Sequence, residues 1–77
     1  MQTKEQLSKE YSEWWGKYEE NREKVSAVMK RWYEIQKGGT TSEWIDLFTD
    51  AEIAFKNENM IMAKLLEISN KLREISQ

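Results

Sequence analysis

The chain has 77 residues, and a domain of this size buries only about 60% of the surface that its unfolded chain exposes. It has no cysteine and no histidine, which excludes disulfides, thiolate and imidazole chemistry and the usual zinc ligands. Its 12 basic and 14 acidic side chains give a formal net charge of −2, too balanced for a typical nucleic-acid-binding surface. Four tryptophans, three tyrosines and two phenylalanines indicate a folded chain.

The first half of the chain predicts a long α-helix over about residues 3–37. Core-type residues recur there in alternating steps of four and three, the heptad pattern of helices that pack side by side, and Asn21 interrupts this pattern. The apolar positions of this seam are Leu7, Tyr11, Trp14, Tyr18, Val25, Val28, Trp32 and Ile35.

The middle of the chain predicts a turn over residues 38–41. Gly38 and Gly39 are typical of a helix C-terminus, because glycine adopts the backbone angles that end a helix. Thr40, with Glu43 three residues later, predicts a capping box, in which a hydroxyl and a carboxylate each accept from a free backbone N–H.

The second half predicts another helix over about residues 42–76, with the same heptad seam interrupted at Glu58. We therefore expect residues 1–77 to form one all-α domain, a long antiparallel helical hairpin resembling a coiled coil. The apolar positions of the second seam are Trp44, Leu47, Ala51, Ala54, Ile61, Leu65, Ile68, Leu72 and Ile75.

Folding back at the two glycines places the two polar interruptions, Asn21 and Glu58, opposite each other. We expect Asn21 to donate a hydrogen bond to Glu58, forming a polar core layer that fixes the register at some cost in stability. An alternative fold is a three-helix bundle with a break near Thr49-Asp50, because Thr49 and Glu52 imitate another capping box.

Two sides of the hairpin flank the seam, and the heptad positions predict opposite chemistry for them. On the charged flank, Glu10 is expected to face Lys71 and Arg31 to face Asp50. The other side, here called the apolar flank, is the predicted interface. Its residues are Trp15, Met29, Tyr33, Ile45, Phe48, Phe55, Met62 and Leu66.

The apolar flank is too large for two helices to cover, and exposed patches of this kind usually mark an interaction site. A second copy could cover it, giving a homodimeric four-helix bundle. A third helix of the same chain or a different protein are the other possibilities. The partners we expect are the chain itself and another protein, with nucleic acid less favoured.

No pattern in the chain predicts catalysis, and we expect no catalytic, cofactor or metal site. Glu19, Glu20 and Glu23 lie off the seam, where carboxylates are normally solvated, and no histidine accompanies them. The serines have no histidine to activate them, and the paired glycines lack the phosphate-loop pattern and its lysine.

These features predict a non-enzymatic protein–protein interaction module, most simply a small inhibitor or adaptor of the kind that phages and plasmids encode. The alternative is a small dimeric nucleic-acid-binding regulator built on a helical hairpin. No stretch approaches the roughly 20 apolar residues that a membrane span needs, so we expect no membrane contact and a cytoplasmic location, in a host cell if the gene is viral or plasmid-borne.

Overall fold

The computed structural model describes residues 2–76, so Met1 and Gln77 of the predicted 1–77 domain lie outside the described residues. Two helices, α1 (Lys4–Ile35) and α2 (Thr41–Ser76), pack against each other as a hairpin, which confirms the predicted fold class. At about 1.5 Å per residue, the 36 residues of α2 account for the 54 Å length of the molecule.

The ends of α1 are set by local hydrogen bonds. Thr3 caps the helix in a capping box with Gln6, whose backbone N–H donates to the threonine hydroxyl at 3.2 Å. The helix ends at Ile35, two residues earlier than predicted, because the Ile35 carbonyl accepts from both Gly38 and Gly39. Gly38 has a φ of +146°, which favours glycine, and a Cβ on Gly39 would collide with the side chain of Ile35.

The capping box predicted at the start of α2 is only half formed. The Thr40 hydroxyl accepts from the Glu43 backbone N–H at 3.2 Å, as a cap should. The Glu43 carboxylate, however, accepts from that same hydroxyl rather than from the Thr40 backbone N–H. The threonine therefore starts the helix, and the carboxylate supports the cap instead of satisfying a second backbone donor.

The alternative break near Thr49-Asp50 does not occur, because α2 runs from Thr41 to Ser76 without interruption. The Thr49 hydroxyl donates to the Ile45 carbonyl at 2.9 Å, one turn earlier in the same helix. A threonine in the interior of a helix commonly makes this bond. Thr49 thus belongs to a continuous helix and caps nothing.

The predicted seam forms the core of the hairpin. Leu7, Leu47 and Ile68 are almost completely buried, and the other apolar seam residues are buried or half-buried, except Ile75, which is exposed near the chain end. Near the turn, the seams of the two helices join in one apolar cluster. This cluster contains Val25, Val28, Trp32, Ile35, Trp44, Leu47, Ala51 and Ala54.

The polar layer differs from the prediction, because Asn21 does not bond to Glu58. Asn21 is 5% exposed, and its side-chain amide donates to the backbone carbonyl of Ala54 at 2.9 Å. Glu58 instead accepts from Arg22 at 3.0 Å. A small alanine lets the asparagine amide reach the backbone, whereas the longer glutamate extends to a cation at the edge of the seam.

Candidate interaction surface

The apolar flank is a continuous exposed face shared by both helices. The structure leaves all eight of its predicted residues exposed, from 41% at Phe55 to 61% at Tyr33. Positions seven residues apart fall on one side of a helix, so Phe48, Phe55 and Met62 follow the edge of α2 that meets α1. Large apolar side chains grouped in this way mark an interaction surface in soluble proteins.

Several exposed aromatic rings of the apolar flank are held by aromatic rings of the seam. Trp15 lies between Tyr11 and Tyr18, with ring centroids 6.4 and 5.1 Å away. Phe48 stacks on Trp44 at 5.7 Å in the same manner. Such pairs stabilise by about 0.5–1.5 kcal/mol beyond burial, so these rings lose little side-chain entropy when a partner covers them.

A groove of about 430 Å³ opens on the apolar flank close to the turn. Its walls include Met29, Phe48 and Phe55, and Glu52 is its one charged lining residue. Ala51, a seam residue with a short side chain, lines the groove together with Val28 and Leu47 and leaves room for it at the edge of the seam. An apolar side chain from another polypeptide could fill this space.

An ion pair lies halfway along the apolar flank. Arg22 donates to Glu58 across the two helices, and the Glu58 side chain is only 20% exposed, compared with 49% for Arg22. The pair therefore neutralises a carboxylate that is partly removed from water, which an isolated charge would tolerate poorly. Apolar residues continue on both sides of it, with Met29 towards the turn and Trp15 towards the open end.

Ion pairs join the two helices along the charged flank. Arg31 pairs with Asp50 at 2.6 Å, as predicted, but Glu10 pairs with Lys64 at 3.8 Å instead of with Lys71. Lys71 is engaged by Glu67 one turn earlier on its own helix, at 3.3 Å. The hydrogen bond from Lys71, together with the charges of Lys64 and Lys71, lowers the pKa of Glu67 below its ordinary value.

Sequence reasoning missed two exposed apolar residues beside the charged flank, Ile53 and Met60, which are 57% and 58% exposed. They are seven residues apart, so the heptad spacing could have identified them as one more row on α2. Each lines a shallow groove of about 270–280 Å³ whose rim includes Lys24. This second apolar feature is smaller and more polar in its surroundings than the apolar flank.

Among residues 2–76, no group of three or more acidic side chains lies close enough together to hold a metal ion. The predicted solvated carboxylates Glu19, Glu20 and Glu23 are exposed on α1. Within the same described range, neither helix has a stretch that is both long and apolar enough to cross a membrane.

Comparison of the chain with known protein families, with curated proteins and with solved structures finds no match.

Proposed function

We propose that the chain is a non-enzymatic protein–protein interaction module, a small inhibitor or adaptor, which acts by placing its apolar flank against another polypeptide. The observation that carries this proposal is the set of eight exposed apolar residues on one side of the hairpin, with a groove of about 430 Å³ among them. A polypeptide partner is favoured because the face is long, apolar and bordered by polar residues, as protein interfaces are.

The test is site-specific photo-crosslinking in cells of the natural source. A photoreactive phenylalanine analogue replaces Phe55 on the apolar flank, and the control places it at Lys56, the next residue, whose side chain is 75% exposed. We expect adducts with a polypeptide from position 55 and not from position 56. Adducts with lipid or nucleic acid alone, equal adducts from both positions, or no adducts at all would overturn the proposal.

An inhibitor or adaptor must also bind a polypeptide other than its own chain. A second photoreactive variant at Met60 examines the smaller apolar feature beside the charged flank. We expect a foreign protein among the adducts of position 55 or position 60. Adducts with the chain itself and nothing else would overturn the inhibitor or adaptor role and leave only a self-associating module.

A nucleic-acid-binding regulator is the second candidate, favoured by a row of basic residues, Lys17, Lys24 and Arg31, along one edge of α1. Two of the three are already engaged, because Lys17 lies 4.1 Å from the ring centre of Trp14 and Arg31 pairs with Asp50. Phosphate contacts would make retention on DNA or RNA fall steeply with salt. Absence of retention at low salt would eliminate this candidate.

A further inference from the structure

The apolar flank has an internal symmetry. On α1, the flank positions next to the seam are Trp15, Arg22 and Met29, with a large apolar residue seven positions on either side of the arginine. On α2, Phe48 and Met62 lie seven positions on either side of Phe55. One row further out on α2, Ile45 and Leu66 enclose the polar Glu52 and Asn59. The α2 rows, and the α1 row next to the seam, therefore have the same pattern when read in either direction.

We propose, building on the proposed function, that a second copy of this chain covers the apolar flank, with its turn at the opposite end. A two-fold axis then crosses the flank at the level of Arg22 and Phe55. Each α1 packs antiparallel on the α1 of the second copy, and each α2 packs antiparallel on the other α2. A two-fold interface requires a surface that is complementary to its own reversed copy, and this reversible pattern meets that requirement.

The two-fold arrangement pairs seven of the eight apolar flank residues with one another, and Tyr33 lies at the level of Ser12. Trp15 lies at the level of Met29 of the second copy, and Phe48 at the level of Met62. Ile45 lies at the level of Leu66, and the two Phe55 side chains meet on the axis. The groove beside Ala51 receives side chains from the second copy, so the volume that one hairpin leaves empty is filled.

The charges on this face agree with the same arrangement. The axis brings two Arg22–Glu58 pairs together, so each arginine has a glutamate of its own helix pair and another of the second copy within reach. The remaining charges near the axis meet neutral groups, since Glu52 lies at the level of Asn59 and Glu19 at the level of Ser26. No two like charges without a counter-charge face each other, which a self-complementary interface needs.

The opposite arrangement, with both turns at the same end, differs in what faces the open end of the hairpin. There the flank becomes polar, with serines on both helices in place of the large apolar residues. With the turns together, this polar segment of each copy would face the same segment of the other. With the turns apart and the axis at Phe55, Ser8 lies at the level of Gln36 and Ser69 at the level of Thr41, so the polar segment faces the polar region around the turn of the second copy, and Ser76 extends beyond it. These serines are Ser8, Ser12, Ser69 and Ser76.

The area available is sufficient for a dimer. From Ile45 to Leu66, α2 rises roughly 31 Å at 1.5 Å per residue, and two helices side by side are roughly 20 Å wide. The apolar part of the flank thus covers roughly 600 Å² per copy, or about 1,200 Å² in total, which is the lower end of the range for stable protein interfaces. Dissociation in the micromolar range is therefore expected.

The decisive measurement is the distance between two spin labels, for which the absence of natural cysteine makes the chain well suited. A single Ser42→Cys substitution places the label on an exposed residue near the turn, away from the flank. Turns at opposite ends predict a distance of roughly 40–50 Å between the labels of a dimer, and turns at the same end predict less than about 30 Å. The short distance would overturn the proposed arrangement.

A charge substitution on the axis tests the surface itself by analytical ultracentrifugation. Phe55→Glu places two carboxylates face to face, and we expect the dissociation constant to rise at least about 100-fold. The matched control, Ile53→Glu, adds the same charge to another exposed apolar residue, which lies beside the charged flank, and should change the constant by less than about threefold. Equal effects of the two substitutions would overturn the assignment of the interface.

A mass near 9.3 kDa at a concentration of about 100 μM would overturn the dimer. That result would leave the proposed function standing if position 55 still crosslinks to a foreign protein in cells. If position 55 gives no polypeptide adduct in cells although the purified chain forms the dimer, the proposed function fails and the dimer stands.

Discussion

The two flanks of the hairpin lie equally close to the seam but differ in whether their side chains find partners within the same hairpin. On the charged flank, Arg31 with Asp50 and Glu10 with Lys64 pair across the helices, and water solvates the rest. On the apolar flank, the Arg22–Glu58 pair neutralises only the middle, and rings and methionines remain exposed on both sides of it. The side chains of the charged flank pair within one hairpin, whereas those of the apolar flank remain exposed.

Both flanks are held in place by the seam, so the largest loss of stability should come from truncating a seam side chain. Leu47→Ala removes a side chain that is 1% exposed and should lower the free energy of unfolding by about 2–5 kcal/mol, through lost burial and a remaining cavity. Ile53→Ala, a truncation on an exposed surface, should stay within about 0.5 kcal/mol. Urea unfolding followed by circular dichroism measures both, and similar losses would show that the seam is not the core.

Asn21 is a buried polar residue of the seam, and its replacement should have the next largest effect on stability. Asn21→Leu should raise the free energy of unfolding by about 1 kcal/mol, because a buried amide becomes apolar and the Ala54 carbonyl keeps its bond within the helix. A groove of about 270 Å³ beside Asn21 gives the leucine room. The urea midpoint measures the change, and a clear decrease would mean that the amide-to-carbonyl bond is strongly stabilising.

The ion pairs of the two flanks should differ modestly in their coupling free energies. A double-mutant cycle on Arg31 and Asp50, both about half exposed, should give a coupling free energy of about 0.5 kcal/mol or less. The cycle on Arg22 and Glu58 should give about 1 kcal/mol, because the glutamate is only one-fifth exposed and water screens the pair less. Alanine replacements with thermal unfolding provide both values. A stronger coupling for Arg31 and Asp50 would reverse the comparison.

The smallest effect should come from acidifying the charged flank. Lys71 and Lys64 lower the pKa of Glu67 from its ordinary value of 4.5, so its contribution is fully present above that value and is lost as the pH falls through the lowered pKa. Glu67→Gln should therefore lower Tm slightly at pH 7 and have no effect once the wild-type carboxyl is protonated. A difference in Tm that persists at pH 2 would show that the contribution is not electrostatic.

The heptad spacing predicted the hairpin and the membership of its faces well, because a period of 3.5 residues fixes which side chains share one side of a helix. Leu7, Leu47 and Ile68 became the most buried side chains for this reason. The residues of the apolar flank could be read in the same way. Ile53 and Met60 were missed because a single row of two apolar residues among polar neighbours resembles an ordinary surface.

The sequence did not predict which hydrogen-bond and ion-pair partners the polar side chains choose. A glutamate or lysine side chain spans more than one helical turn of about 5.4 Å, so several partners are within its reach and the spacing does not choose among them. Lys64 lies between Glu10 at 3.8 Å and Glu67 at 3.5 Å, and Glu67 also pairs with Lys71 at 3.3 Å, which the spacing alone did not indicate. Asn21 bonds to the backbone because Ala54 is small enough to expose its carbonyl to the amide.

The sequence by itself therefore determined the two helices, their seam and the existence of an apolar flank, since these follow from residue spacing and burial. The tertiary structure alone decided that Arg22 neutralises Glu58, that Ala51 leaves an open groove, and that Asn21 turns towards a carbonyl. These outcomes depend on side-chain length and on the axial position of one helix against the other. Periodicity does not fix either quantity to better than about one turn.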